Sequence, residues 1–280
     1  MLPGRPSRTA LGAARHRAVH QVLEHGAIFC DPLALAILGA EAEAAVSEAR
    51  GDPTRRRLRL FIALRTRLAE DALAAAVERG VRQVVILGAG LDTYAYRGAV
   101  GEGVRVFEVD HPATQAWKRQ RLAEAGILVP AHVTFAPVDF ERETLAGGLA
   151  AAGLDASRPA FFTWLGVVPY LTEPAVVATL GYVASLPKGS HVVFDYANPP
   201  PPGPDPEGRF ALARALAARA AAAGEPFQSH FETGDLCARL RNMGFVEIED
   251  FAPARLAARY FPGRTSPDSD RGAHVLHAAT

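Results

Sequence analysis

Cysteine is scarce in this 280-residue chain. Cys30 and Cys237 are the only two, too few for a disulfide framework, so a packed core must hold the fold and reduced thiols are expected. An excess of charge is missing too. Thirty basic residues balance 30 acidic ones, which leaves no overall field to draw in nucleic acid or an anionic membrane and points to a small-molecule partner. Long apolar runs are lacking: nowhere do 18 apolar residues follow one another without a charge or a turn signal, and "MLPGRPSRTALGAARHR" has no apolar centre of the kind a secretory signal needs. The expectation is a cytoplasmic protein that does not span a membrane. There is no internal repeat, and no metal is expected.

What is present is hydrophobic residues at 49%, enough for one large core. Apolar runs of strand length recur at 82–88, 104–110, 132–139, 160–166, 190–196, 245–251 and 274–278. Helix-like segments separate most of them, at 55–79, 112–125, 141–151, 173–185, 208–223 and 232–243, and this alternation is that of a parallel sheet covered on both faces. Residues 1–50 read as helices ahead of the first strand, a cap on an α/β core over 51–280. The segment "ANPPPPGPDPEG" (197–208) forbids helix and central strand alike; it is a stiff connector or a rim to a pocket.

The first strand runs into "LGAGLDT". Gly88 and Gly90 let backbone approach a ligand closely, although the same pair also serves a purely structural turn. Thr93 stands where a dinucleotide fingerprint has its third glycine, so a pyrophosphate is poorly served. The second strand, "VRVFEVD", ends in Glu108 and Asp110, and Asp110 lies nearer the mouth of the crevice, where an acid accepts hydrogen bonds from a ribose. The third ends in Asp139 and Phe140, which suit an adenine's amine and ring. An adenosine without a pyrophosphate is the implied ligand.

On the helix at 55–79, a wheel zeroed at Leu58 places Phe61, Ile62, Leu68, Ala69, Ala72, Leu73 and Ala76 within about 80° of it, and Arg65 with them. Arg67 faces the other way. A buried guanidinium requires an anion: either an internal acid or the carboxylate of an amino-acid-like ligand. Adenosine at one end and an amino-acid carboxylate at the other describe S-adenosyl-L-methionine.

With "RTALGAARHRA", "CDPLA", "ALRTRLAEDAL", "QVVILGAGLDTYAYR", "FEVDHP", "WLGVVPYLTEPAV" and "LRNMGFVEIEDF" in this order, the chain resembles the leucine carboxyl methyltransferase-like family of S-adenosylmethionine-dependent O-methyltransferases, which includes bacterial polyketide O-methyltransferases. The resemblance implies a class I methyltransferase fold, α/β, with a Rossmann-like sheet of seven strands, the last antiparallel, and helices on both faces. It carries the cofactor's carboxylate to Arg65, its glycine turn to Gly88, Ala89 and Gly90, its ribose to Asp110 and its adenine to Asp139 and Phe140. One departure stands out. Many relatives have a glutamate where this chain has Leu165, so backbone carbonyls near Thr163 to Gly166 are expected to meet the cofactor's amino group. A carboxylate acceptor needs no base; for a hydroxyl acceptor the residues to inspect are Tyr170, His230 and Tyr196, together with His111 and Asp195. His111 is expected to start a helix. The rival readings are an NAD(P)-dependent oxidoreductase and a catalytically silent cofactor-binding protein of the same fold.

Overall fold

The structure, a computed structural model, describes residues 7–98, 100–139, 143–200, 211–222, 224–261 and 271–280. Seven strands form one sheet: β1 (Gln83–Leu87), β2 (Arg105–Asp110), β3 (Val133–Pro137), β4 (Phe161–Trp164), β5 (His191–Ala197), β6 (Glu247–Phe251) and β7 (Ala273–Ala279). Their order across the sheet is β3-β2-β1-β4-β5-β7-β6. β1 to β5 pair in parallel, and β7 runs antiparallel between β5 and β6. This is the sheet expected of a class I methyltransferase, and each expected strand falls on an observed one.

Helices pack on both faces because β1 carries apolar side chains on both. Val85 and Leu87 join one core with α6 (Leu145–Ala151), α7 (Glu173–Ser185) and α9 (Thr233–Met243). Val84 and Ile86 join a second core with α4 (Arg56–Glu78) and α10 (Pro253–Tyr260). The remaining elements are α1 (Arg8–Leu23), α2 (Ala34–Leu38), α3 (Glu41–Gly51), α5 (Pro112–Glu124) and α8 (Ala211–Ala222). α1, α2 and α5 share a small core of their own through Ala14, Ala18, Ile37, Leu38 and Leu122, and in this way the extension is seated on the sheet's edge rather than held apart from it. No expected segment corresponds to α10, an eight-residue helix begun by Pro253.

Between β1 and β2 the described residues make one turn of 3-10 helix, Tyr94–Tyr96, and no α-helix. Cys30 and Cys237 are free thiols. No helix among the described residues is long and apolar enough to cross a membrane. Of the proline-rich segment only 197–200 are described.

Candidate active site

A cavity of about 730 Å³ opens at the C-terminal ends of the parallel strands, walled by α1 on one side and by 170–175 and 224–228 on the others. Its floor is the turn after β1. Gly88 adopts φ +64° and Gly90 φ +43°, conformations that side-chain-bearing residues avoid. A Cβ on Gly88 would stand 2.3 Å from Val167 Cγ2, and one on Gly90 would stand 2.9 Å from Ala10 Cβ, so both glycines are demanded by crowding as well as by φ. The turn is thus a cradle pressed between β4's exit and α1.

Asp110 closes the cradle. Its Oδ2 accepts the Gly90 amide at 2.6 Å and its Oδ1 the His111 amide at 2.7 Å. Each oxygen keeps a lone pair for a further donor. Burial pushes this carboxyl above its ordinary value, while the two amides pull the other way. Glu108, two residues earlier, is fully buried and absent from the cavity wall; its Oε2 takes Lys118 Nζ and the Tyr96 hydroxyl, each at 2.8 Å. Of the two acids on β2, Asp110 is the one that reaches the cavity.

Arg65 lines the cavity, and its side chain is 10% exposed. The partner that its burial demands proves to be internal: Nη1 donates to Asp195 Oδ2 at 2.7 Å. A ligand carboxylate is therefore not required by burial alone, which corrects the argument from sequence at that step. Asp195 in turn accepts the Gly166 amide at 2.5 Å, and Gly166, at φ +73°, leaves room for the guanidinium, since a Cβ there would stand 2.6 Å from Arg65 Nη2 and push that tip aside. Arg65 Nε is buried without a partner. Arg67, by contrast, is half exposed and bonds Asp71 at 2.7 Å on its own helix. The wheel missed Arg59, about 100° from Leu58, which is 3% exposed and clasps Glu24 through two bonds of 2.7 Å.

Ala89, Asp139 and Leu165 also face the cavity, as do Thr163 and Gly166. Phe140 lies outside the described residues. Among the candidates on the acceptor side, Tyr170 and His111 line the cavity, whereas His230 and Tyr196 do not. His111 caps α5, its Nδ1 accepting the Ala113 amide at 3.1 Å. Tyr196 is 1% exposed and spends its hydroxyl on Asp250 and Thr233. Burial pushes the Tyr170 phenol up to about 12, so at neutral pH it keeps its proton.

Sequence reasoning named none of the residues that α1 and 224–228 contribute to the wall. Ser7, Thr9, Ala10 and Arg17 line the cavity from one side, Glu225 and Gln228 from the other. Glu225 closes the seam by accepting from the Arg8 and Thr9 amides, each at 3.2 Å, at the positive end of α1. These contacts join residues more than 200 apart in sequence, so no local pattern announces them.

A family model described as leucine carboxyl methyltransferase matches residues 10–184. The chain is 34% identical over 202 residues to YktD of Bacillus subtilis, provisionally named an S-adenosyl-L-methionine-dependent methyltransferase, covering 71% of this chain and 66% of that one. A Frankia alni protein with the same provisional description is 39% identical over 184 residues, 64% of either chain. The chain thus spans just under two thirds of the length of these relatives. Among solved structures, one from Thermobifida fusca, provisionally called a methyltransferase, superposes with a TM-score of 0.57 at 17% identity, covering 100% of this chain and 96% of that one. At that identity the likeness concerns the fold alone.

Proposed function

The chain belongs to the leucine carboxyl methyltransferase family, and from that premise we propose that it is an S-adenosyl-L-methionine-dependent methyltransferase acting on a carboxylate or hydroxyl oxygen of a small natural product. The observation that carries this reading is convergence. Arg65, Gly88, Ala89, Gly90, Asp110, Asp139 and Leu165, assigned to the cofactor from sequence, come from five separate stretches of chain and line one cavity.

The residues fit the group. The Gly88–Gly90 cradle admits an adenosine, the spare lone pairs of Asp110 suit a ribose diol, and Asp139, on the cavity wall, offers a carboxylate to an adenine amine. Arg65 retains a buried Nε with no acceptor, and its guanidinium offers the cofactor's carboxylate a cationic wall beside Asp195. Backbone carbonyls of 163–166 take the place of the missing glutamate at Leu165.

When bound, the cofactor supplies a methyl group already activated by its positive sulfur. The protein's task is then alignment: holding donor and acceptor oxygen about 3 Å apart contributes up to roughly 7–11 kcal/mol in favourable cases. α1 and 224–228 keep water from the reacting atoms. Tyr170, protonated at neutral pH, orients an acceptor by donating a hydrogen bond and does not serve as its base.

The oxidoreductase reading fares worse on one structural point. Among the described residues no α-helix starts at the turn after β1, and a pyrophosphate wants a helix N-terminus there. Calorimetric titration decides between the two: S-adenosyl-L-methionine is expected to bind and NAD is not, and the reverse result overturns the proposal.

A further inference from the structure

The stretches "RHRA" and "CDPLA" of the N-terminal extension carry Arg17 and Asp31, and the structure sets these two against the turn after β1, Arg17 reaching the cavity wall as well. Arg17, on α1, donates Nη2 to the Leu91 carbonyl. Its Nε lies 3.5 Å from Asp31 Oδ2, and its Nη1 lies 4.0 Å from Asp92 Oδ2. Asp31 has a fully buried side chain. It accepts Thr93 Oγ1 at 2.7 Å and the Leu33 amide at 3.1 Å. Thr93 is the residue that occupies the place of the third glycine, and it is itself 1% exposed.

In dinucleotide folds the helix that follows such a turn fixes its backbone. Here that helix is replaced by one 3-10 turn, and two glycines with positive φ leave the backbone soft. We propose that Arg17 and Asp31 are positioning residues for this turn: they brace Leu91–Thr93 from across the chain and hold the Gly88–Gly90 cradle in its binding shape before a ligand arrives. The brace removes an ordering cost that binding would otherwise meet. This inference rests on the cofactor reading above, and the residues act through the turn, not on the reacting atoms.

The test uses the full chain and two readings: the amide ¹H–¹⁵N resonances of Gly88, Gly90 and Leu91 in protein without ligand, and the calorimetric affinity for S-adenosylhomocysteine. Arg17→Met displaces those resonances and weakens binding about tenfold or more, the scale of a lost charge-assisted hydrogen bond. Arg17→Lys, which keeps the charge, recovers part of both. Thr93→Val gives the same displacement with a smaller loss of affinity. A folded Arg17→Met protein whose resonances and affinity match the wild type, with only a lower melting temperature, overturns the brace. Should Arg17→Met not fold, Thr93→Val decides by the same two readings. Should the wild type not bind S-adenosylhomocysteine, the cofactor reading fails by itself, and unmoved turn resonances in the variants still overturn the brace.

Discussion

Asp195 and Tyr196 are neighbours on β5 and point to opposite faces of the sheet, and their surroundings differ in kind. On the face of Asp195, which α4 covers, ionisable groups are buried in pairs: Arg65 with Asp195, and Lys118 with Glu108. Each pair leaves an atom short of a partner, Arg65 Nε and Glu108 Oε1. On the face of Tyr196, covered by α6, α7 and α9, the core is apolar around one cluster that closes largely on itself. There Asp250 takes the Tyr196 hydroxyl at 2.8 Å and His274 Nδ1 at 2.8 Å. Arg65 lines the cavity from the first face, whereas Tyr196, Asp250 and His274 do not reach it. Of these two buried pairs, Arg65 with Asp195 stands at the cavity wall, where a charge already fixed in place suits a charged ligand.

Removing Arg65 is the harshest way to probe that difference. Arg65→Ala strands Asp195, whose side chain is 7% exposed, and is expected to destabilise the fold by about 3–5 kcal/mol while weakening S-adenosyl-L-methionine binding more than about tenfold. Arg67→Ala breaks only an exposed pair, worth under about 1 kcal/mol, and leaves affinity alone. Urea unfolding and calorimetry on both variants read the contrast. Equal losses in the two would erase it.

Lys118→Met comes next, at about 3 kcal/mol, because it leaves Glu108 charged in a fully buried place. The Tyr96 hydroxyl still donates to Glu108, which keeps the loss toward the low end. If the pair is what matters, Glu108→Gln added to Lys118→Met returns much of the stability. A double variant as unstable as the sum of the single ones denies the coupling.

How much of this could be read beforehand depends on whether the signal was local. Strand-length apolar runs gave all seven strands, and the 3.6-residue period of α4 put Arg65 on its buried side, because both patterns live within a few turns of chain. The same period showed that Arg65 needs an anion but could not say which, since Asp195 lies 130 residues away. Asp195 had stood among the titratable candidates for the acceptor side, with no hint of this pairing. α10 escaped because eight residues hold barely two turns of periodicity. The bond from Thr93 to Asp31 spans 62 residues and the seam at Glu225 more than 200; both are set by how the extension docks, which no local spacing encodes.

A milder probe of the α4 face is acid. His191 is 4% exposed, with its Nδ1 3.1 Å from His277 Nε2. Burial, with His277 and Arg79 nearby, lowers its pKa from 6.5 to about 4. The folded state thus refuses a proton that the unfolded chain accepts below pH 6.5. Stability is complete above that pH and falls as pH drops toward 4, by about 3 kcal/mol from this residue. Denaturant titrations across pH 4–7 are expected to show a shallower slope in His191→Gln, and an unchanged slope refutes the assignment.

The smallest effect belongs to the opposite face and tests whether it is separate from the site. Tyr196 and Tyr170 looked alike in sequence, each a tyrosine at or just beyond the end of a central strand. Alternation along β5 decides Tyr196: with Asp195 turned toward α4, the next side chain must enter the apolar layer, where its hydroxyl is held by Asp250 and Thr233. Tyr196→Phe then costs about 1 kcal/mol, the net worth of a buried hydrogen bond, and leaves cofactor affinity at the wild-type value. Tyr170→Phe is expected to do the reverse: Tyr170 lines the cavity, so stability barely changes while acceptor turnover falls. Calorimetry and urea unfolding on the pair settle the matter, and a loss of cofactor affinity in Tyr196→Phe would show that the two faces communicate after all.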